Sequence, residues 1–409
     1  MREQAEQLMT GAANWLAQIA RVRDASHAYD DPRSYPVPDG GYIGAVRNEY
    51  DTKTRTWYLN GPVWHTGQAI RAVLIEYRRS GDAALLEAAR AMGEYVLRNI
   101  VDDPGHPNHG LMLSYEGDNA TSNMQVTFET LPGLFDLADA TGEPRWIDAA
   151  RQAADFALQG FNPDEGLIAD HYHVAEQRFI IDPDNVLPGR IALDDSALAE
   201  LSDRTDDPRY RDTFLLMAER SLRDEDPAGT WIVYPPWHRD TGRLHIRASW
   251  WWGYSLLTAY EQSGDERFLQ GAIRAGDWYR AQQHLDGGFP YSPLLDGRHG
   301  TFAVATSGSA VSTIMWCDLF ERTGNPEYLD AIRRSLRFLF AAFLDESNAD
   351  PNVRGALWET LNVPDGSTTP GYRVRDIAPI FAIRALDRAL RLSELADIDI
   401  APLDNAMPW

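Results

Sequence analysis

Thr141-Gly142-Glu143-Pro144-Arg145-Trp146-Ile147-Asp148-Ala149-Ala150-Arg151 is the stretch whose reading decides the fold. Its turn has four counterparts: Ser80-Gly81-Asp82, Thr205-Asp206-Asp207-Pro208, Ser263-Gly264-Asp265-Glu266 and Thr323-Gly324-Asn325-Pro326. Their second residues are spaced 61, 64, 58 and 60 apart. Glycine ends a helix in the left-handed conformation, an acid or Asn caps the next helix, and Pro is tolerated in its first turn. Tight turns make the flanking helices antiparallel neighbours. An amphipathic run such as Tyr328-Leu329-Asp330-Ala331-Ile332-Arg333 follows most of the turns, and a helix richer in apolar and small residues precedes each.

Working outward, the repeat predicts five helical hairpins: 61–79 with 83–101, 121–140 with 144–160, 190–204 with 208–223, 248–262 with 266–284, and 305–322 with 326–344. Helices near 3–23 and 372–392 remain for a sixth pair. The latter is apolar (Ile377, Ile380, Phe381, Ile383, Leu386), which favours closure across the termini over an open solenoid with polar ends. The expectation is an all-α, single-domain (α/α)6 toroid over 1–409. A small β-hairpin is expected in its first long loop, Gly41–Val46 against Thr56–Leu59. Pro132 should kink helix 121–140 or mark a later start. The helix before each short turn should lie inside the ring. The long loops leading into these helices then emerge on one face, where function concentrates.

Composition narrows the classes. Net charge is −23, with one lysine, Lys53, among 38 basic residues. No basic footprint for nucleic acid exists, and an acidic surface repels long polyanions. The single cysteine, Cys317, lies in an apolar helical run and forbids an intrachain disulfide. No apolar run is long enough for a membrane span, and the N-terminus lacks signal-peptide character, so a cytoplasmic protein is expected. Glycine-rich phosphate loops and a Gly-x-Ser-x-Gly elbow are missing from the sequence. No metal or other cofactor is therefore expected; His171-x-His173 beside Asp170, with Asp182 and Asp184 nearby, is the one pattern that could suit zinc.

The candidate funnel lining is rich in aromatic and polar side chains. Helix 61–79 opens with Trp64, His65 and Gln68; helix 121–140 carries Gln125 and Glu129. The third loop brings His171, Tyr172, His173 and Arg190, then Asp194-Asp195. Adjacent acids on a helix diverge by about 100°, so only one of these two should face the axis. The fourth loop holds Tyr234, Trp237, His238, His245, Arg247, Trp250, Trp251 and Trp252; Tyr291 and Glu359 follow in later loops. Tryptophan stacks on sugar C–H faces, and arginine grips a carboxylate through two parallel bonds.

Phe128-Glu129-Thr130-Leu131 running into Thr141-Gly142-Glu143-Pro144-Arg145-Trp146-Ile147-Asp148 resembles the Asp-Thr-Leu helix and following turn of the unsaturated glucuronyl and rhamnogalacturonyl hydrolases, (α/α)6 carbohydrate enzymes. His109-Gly110-Leu111-Met112 is similar to that group's second acidic motif, with Gly110 in place of the acid. Glu165-Gly166-Leu167 with His171 is similar to a third segment. The group's Trp-x-Arg-Gly-x-x-Trp segment is represented only by Gly189-Arg190. The resemblance implies acid-catalysed hydration of a terminal unsaturated uronate on a short oligosaccharide. Glu129 would be general acid/base, Asp194 its support, and Arg190 or Arg247 the carboxylate ligand. A lyase using Tyr172, His171, His173, Tyr234 or His238 as base is the alternative. An ordinary glycosidase pairing Glu129 with Asp194 or Glu359, a sugar epimerase, and a non-catalytic sugar-binding toroid also stay open.

Overall fold

The computed structural model describes residues 1–31, 39–115, 120–183, 185–234, 239–297, 304–360 and 373–396. Among them twelve α-helices of eight residues or more form six pairs. Inner helices are α2 (Pro62–Ser80), α4 (Met124–Thr141), α6 (Ala197–Thr205), α8 (Leu256–Ser263), α10 (Thr306–Thr323) and α12 (Ile377–Arg391). Outer helices are α1 (Arg2–Asn14), α3 (Ala83–Arg98), α5 (Arg145–Ala157), α7 (Pro208–Asp224), α9 (Glu266–Gln282) and α11 (Pro326–Ala342). Helix α12 packs on α10, α1 and α2, so the first and last helices close the ring. The chain is an (α/α)6 toroid.

The repeated turns follow their sequence chemistry. Gly81, Gly142, Gly264 and Gly324 sit in the left-handed region at φ 67 to 72°, and Asp206 takes that place at φ 55° in the third turn. Asp82, Asp207, Asp265 and Asn325 each accept a bond from the backbone N–H two residues on, at 2.9–3.1 Å. Glu143 instead pairs with Arg90 and Arg145.

Three local expectations change. Helix α4 starts at Met124 and runs through Pro132, because Asn123 Oδ1 accepts from Gln125 N at 3.0 Å and Val126 N at 3.3 Å and so fixes the start upstream. The hairpin strands are β1 (Glu49–Asp51) and β2 (Thr56–Tyr58); residues 44–47 bond instead to 20–22, at the end of the first helical segment. Strands β8 (Trp358–Thr360) and β9 (Arg373–Arg375) extend this hairpin into a sheet of order β2-β1-β9-β8. Inner helices α6 and α8 start late. Residues 194–196 form a tight turn before α6, and Ser249–Tyr254 form a π-helical turn before α8.

Helices α2 and α4 approach each other closely. A Cβ on Gly67 would lie 2.7 Å from the Thr130 methyl, and one on Gly133 would lie 2.2 Å from the Gly67 carbonyl oxygen. This contact brings Gln68 of α2 against the Glu129 carbonyl of α4, one turn along from Gln125. In the third loop, β4 (Phe161–Asn162) pairs with β5 (Leu167–Ile168). There too β6 (His171–His173) lies between β3 (Thr121–Asn123) and β7 (Arg178–Ile180). No helix among the described residues is long and apolar enough to cross a membrane.

Candidate active site

The N-terminal ends of the inner helices carry two polar clusters. In the first, Asp194 and Asp195 are both buried, at 2% exposure for Asp194 and 3% for the Asp195 side chain. The one-inward expectation assumed a helix. Here Asp195 and Ser196 are both left-handed, at φ 49° and 56°, and that turn sends both carboxylates inward. Such backbone costs about 1–3 kcal/mol per residue and persists only when its surroundings enforce it.

Gln125 Nε2 donates to Asp194 Oδ2 at 3.0 Å. Arg190 Nη1 donates to Gln125 Oε1 at 2.9 Å, which fixes the amide with its NH2 toward Asp194. Arg190 itself is paired with buried Asp170, so its guanidinium is largely occupied. Asp194 Oδ1 is buried with no hydrogen-bond partner. Burial pushes the Asp194 carboxyl up to about 8; the Gln125 bond opposes this and the Asp195 charge adds to it. Burial also works against the Asp195 anion, but Arg384 and Arg71 outweigh it and hold that carboxyl below its ordinary value. Arg384 Nη2 reaches Asp195 Oδ1 at 2.5 Å and Nη1 reaches Oδ2 at 3.1 Å. Gln68 Nε2 bonds both Asp195 Oδ2, at 3.1 Å, and the Glu129 carbonyl, at 2.5 Å. Glu129 is 9% exposed, one turn along α4 from Gln125.

The second cluster surrounds Arg247 and Glu359. Glu359 is buried and accepts from Ser307 N at 2.8 Å and Ser307 Oγ at 2.6 Å. Burial raises its carboxyl against those bonds and against Arg375 and Arg247. Arg247 is 7% exposed, lies 5.3 Å from the Trp251 ring centre, and leaves Nε and Nη1 without partners. His245 stacks on Trp251 at 5.1 Å and meets Tyr291 edge-on at 5.8 Å. Burial, then Arg247, Arg375 and Arg243, push His245 well below its ordinary value, so it is neutral near pH 7. Its Nδ1 accepts from Arg247 N at 3.1 Å, which places the ring proton on Nε2.

Beside these clusters, His65 Nδ1 lies 2.7 Å from the fully buried Asp376 Oδ2, which orients the ring. Trp64 stacks on His65 at 3.6 Å, and its buried indole N–H has no partner. The tryptophan triplet separates. Trp252 packs on Trp231 and Tyr234, Trp250 stacks on Tyr254 at 4.1 Å, and Trp251 covers His245 and Arg247.

The remaining expected residues are placed elsewhere. Tyr172 packs on Phe156 of the outer layer and Phe179, and its hydroxyl donates to Asn108 at 2.8 Å. His173 lies 3.7 Å from exposed Glu176, and His171 3.5 Å from Asp182. Tyr234 is fully buried and donates to Asp224 of α7 at 2.5 Å. Trp237, His238 and Asp184 lie outside the described residues. The sequence placed Asp195 and His245 in the lining without a role, and did not mark Arg375, Asp376 or Arg384. The Asp-Asp pair and His245-x-Arg247 were visible signals; nothing local marks Arg384 or Ser307.

No protein-family model and no curated protein matches the sequence. Solved structures do match over nearly the whole chain. An unsaturated glucuronyl hydrolase from Bacillus sp. GL1 superposes with TM-score 0.68 at 16% identity, covering 96% of this chain and 97% of that one. A D-mannose isomerase gives 0.66 at 14%, covering 96% and 98%. The cellobiose 2-epimerase from Spirochaeta thermophila DSM 6192 gives 0.63 at 16%, covering 95% and 99%. At these identities the likeness establishes the toroid.

Proposed function

We infer that the chain is a carbohydrate-active enzyme that hydrates the terminal unsaturated uronate of a short oligosaccharide, with Asp194 as its acid. The observation that carries this reading is the buried Asp194 carboxyl with one unpartnered oxygen, which burial pushes up to about 8. Vinyl-ether hydration needs such a group. Asp194 passes its proton to C4 of the C4=C5 double bond, and charge develops at C5. Water adds at C5 and returns a proton to the Asp194 carboxylate. The resulting hemiketal opens and releases the sugar. Arg247 is the better carboxylate ligand than Arg190, because two of its nitrogens are unpartnered whereas Arg190 is held by Asp170 and Gln125. Trp251 and Trp64 offer stacking faces. Glu129 moves from acid to a neighbour of the acid.

One observation favours a second reading, a sugar isomerase or epimerase. His65, oriented by Asp376, presents a base, and neutral His245 presents an Nε2–H to an open-chain carbonyl. Ultraviolet absorbance separates the readings. Unsaturated uronyl disaccharides lose their chromophore under hydration, whereas a lyase acting on saturated uronate oligosaccharides creates it. Absorbance unchanged with both, together with new anomeric signals in the proton NMR of mannose or cellobiose, would overturn hydration in favour of isomerisation.

A further inference from the structure

We propose that Asp195, braced by Arg384, is a positioning residue that holds the Asp194 carboxyl in its inward pose and in its neutral form. The inference rests on the reading of Asp194 as proton donor. Three geometric observations carry it. First, the turn that aims Asp194 inward contains two successive left-handed non-glycine residues, which the surroundings must enforce. Second, most of the contacts that hold the turn fall on Asp195: two bonds from Arg384, one from Gln68, and Arg71 at 3.9 Å, against one bond of Ser196 Oγ to Thr258 and one of Gln125 to Asp194. The Asp195 contacts come from α12 and α2, across the ring. Third, the two acids have different surroundings. Asp195 borders a polar cavity of about 250 Å³, lined also by Arg71, Ser196, Glu200, Tyr254 and Arg384. Asp194 does not line it; it meets the Gln125 amide and keeps one oxygen unpartnered.

Adjacent carboxylates of unequal environment divide into one anion and one acid. The charged and titratable groups around the pair come from each packed element. Arg190 with Asp170 comes from the preceding loop, Arg71 from α2, and Asp136 and Glu129 from α4. Glu200 comes from α6, Tyr254 from the π-helical turn, and Arg384 with Arg388 from α12. Arg384 and Arg71 act on Asp195 directly, so the negative charge settles there and the proton on Asp194.

The test uses Asp195→Asn in the full-length protein labelled with 13C at the aspartate carboxyls, with Asp194→Asn assigning the signal. In the wild type the Asp194 signal titrates near 8. In Asp195→Asn the midpoint falls by about one unit or more, and the alkaline limb of the pH–rate curve moves with it. Activity lost at neutral pH then returns at acidic pH with KM unchanged. An unmoved midpoint, or a loss equal at every pH, overturns the proposal. The NMR midpoint does not depend on turnover, so a wild type inactive on uronates overturns the hydratase reading alone. If Asp195→Asn fails to fold, Arg384→Lys decides. It keeps the cation but loses the fork, and kcat should drop about tenfold or more at constant KM with the midpoint retained. Wild-type kcat in that variant would sink the idea.

Discussion

Asp194 makes opposite contributions to activity and to stability. Burial pushes its folded carboxyl up to about 8, far above an unfolded aspartate. Whatever stability this group contributes is fully present below the unfolded value and is lost as pH rises through the folded one. Near pH 7 the unfolded chain is therefore favoured by an ionisation that the folded chain resists. Asp194→Asn should cut kcat by about 10²- to 10⁴-fold and raise the free energy of unfolding at pH 7 by on the order of 2 kcal/mol. That gain should shrink toward pH 4. Denaturant melts at both pH values check it, and a variant destabilised equally at both would contradict it. Glu129→Gln is the companion, since the sequence motif puts the acid there. Retained activity in that variant would fit Asp194 as the acid. Arg247→Met should raise KM for a uronate about tenfold or more and leave neutral sugars unaffected, as initial rates on both would reveal.

At the scale of elements, the α2–α4 contact sets the site's floor. Gly67→Ala would press a methyl onto Thr130, at 2.7 Å from its side chain. We expect about 1–3 kcal/mol of destabilisation, since both helices are buried and neither can withdraw freely. Thermal melts test this, and an unchanged midpoint would mean that the helices yield. Elements were also where the sequence was most legible. The hairpins could be read because turn chemistry is local: a left-handed residue, a cap and a proline within five positions. The late starts of α6 and α8 could not be read. Asp194–Ser196 and the π-helical Trp250–Trp252 adopt their backbones under tertiary force, which periodicity does not report. The site was legible in its residue types and hidden in its roles. Gln125, Asp194 and Arg247 were recognisable candidates. Tyr172 and Tyr234 looked equally suitable until their hydroxyls were found bonded to Asn108 and Asp224. Arg384 lies 189 positions from Asp195, so no spacing rule connects them.

The whole molecule carries a net charge of −23, most of it on a surface where exposed ion pairs contribute little each. Self-repulsion should dominate at low ionic strength, where screening extends beyond ~10 Å. Raising sodium chloride from dilute buffer toward molar concentration should lift the thermal midpoint by several degrees. A midpoint that falls with salt would show that the ion pairs matter more than the repulsion. Ring closure has a further consequence, for synthesis on the ribosome. The arginine that braces Asp195 belongs to α12, the last helix of the ring. Five inner helices therefore emerge before Asp195 acquires the two bonds from Arg384, with only Arg71 and Gln68 of α2 beside it. A nascent chain halted short of α12 holds the acid turn on an open arc, braced from α2 alone. Activity should appear all at once as the final helix leaves the exit tunnel.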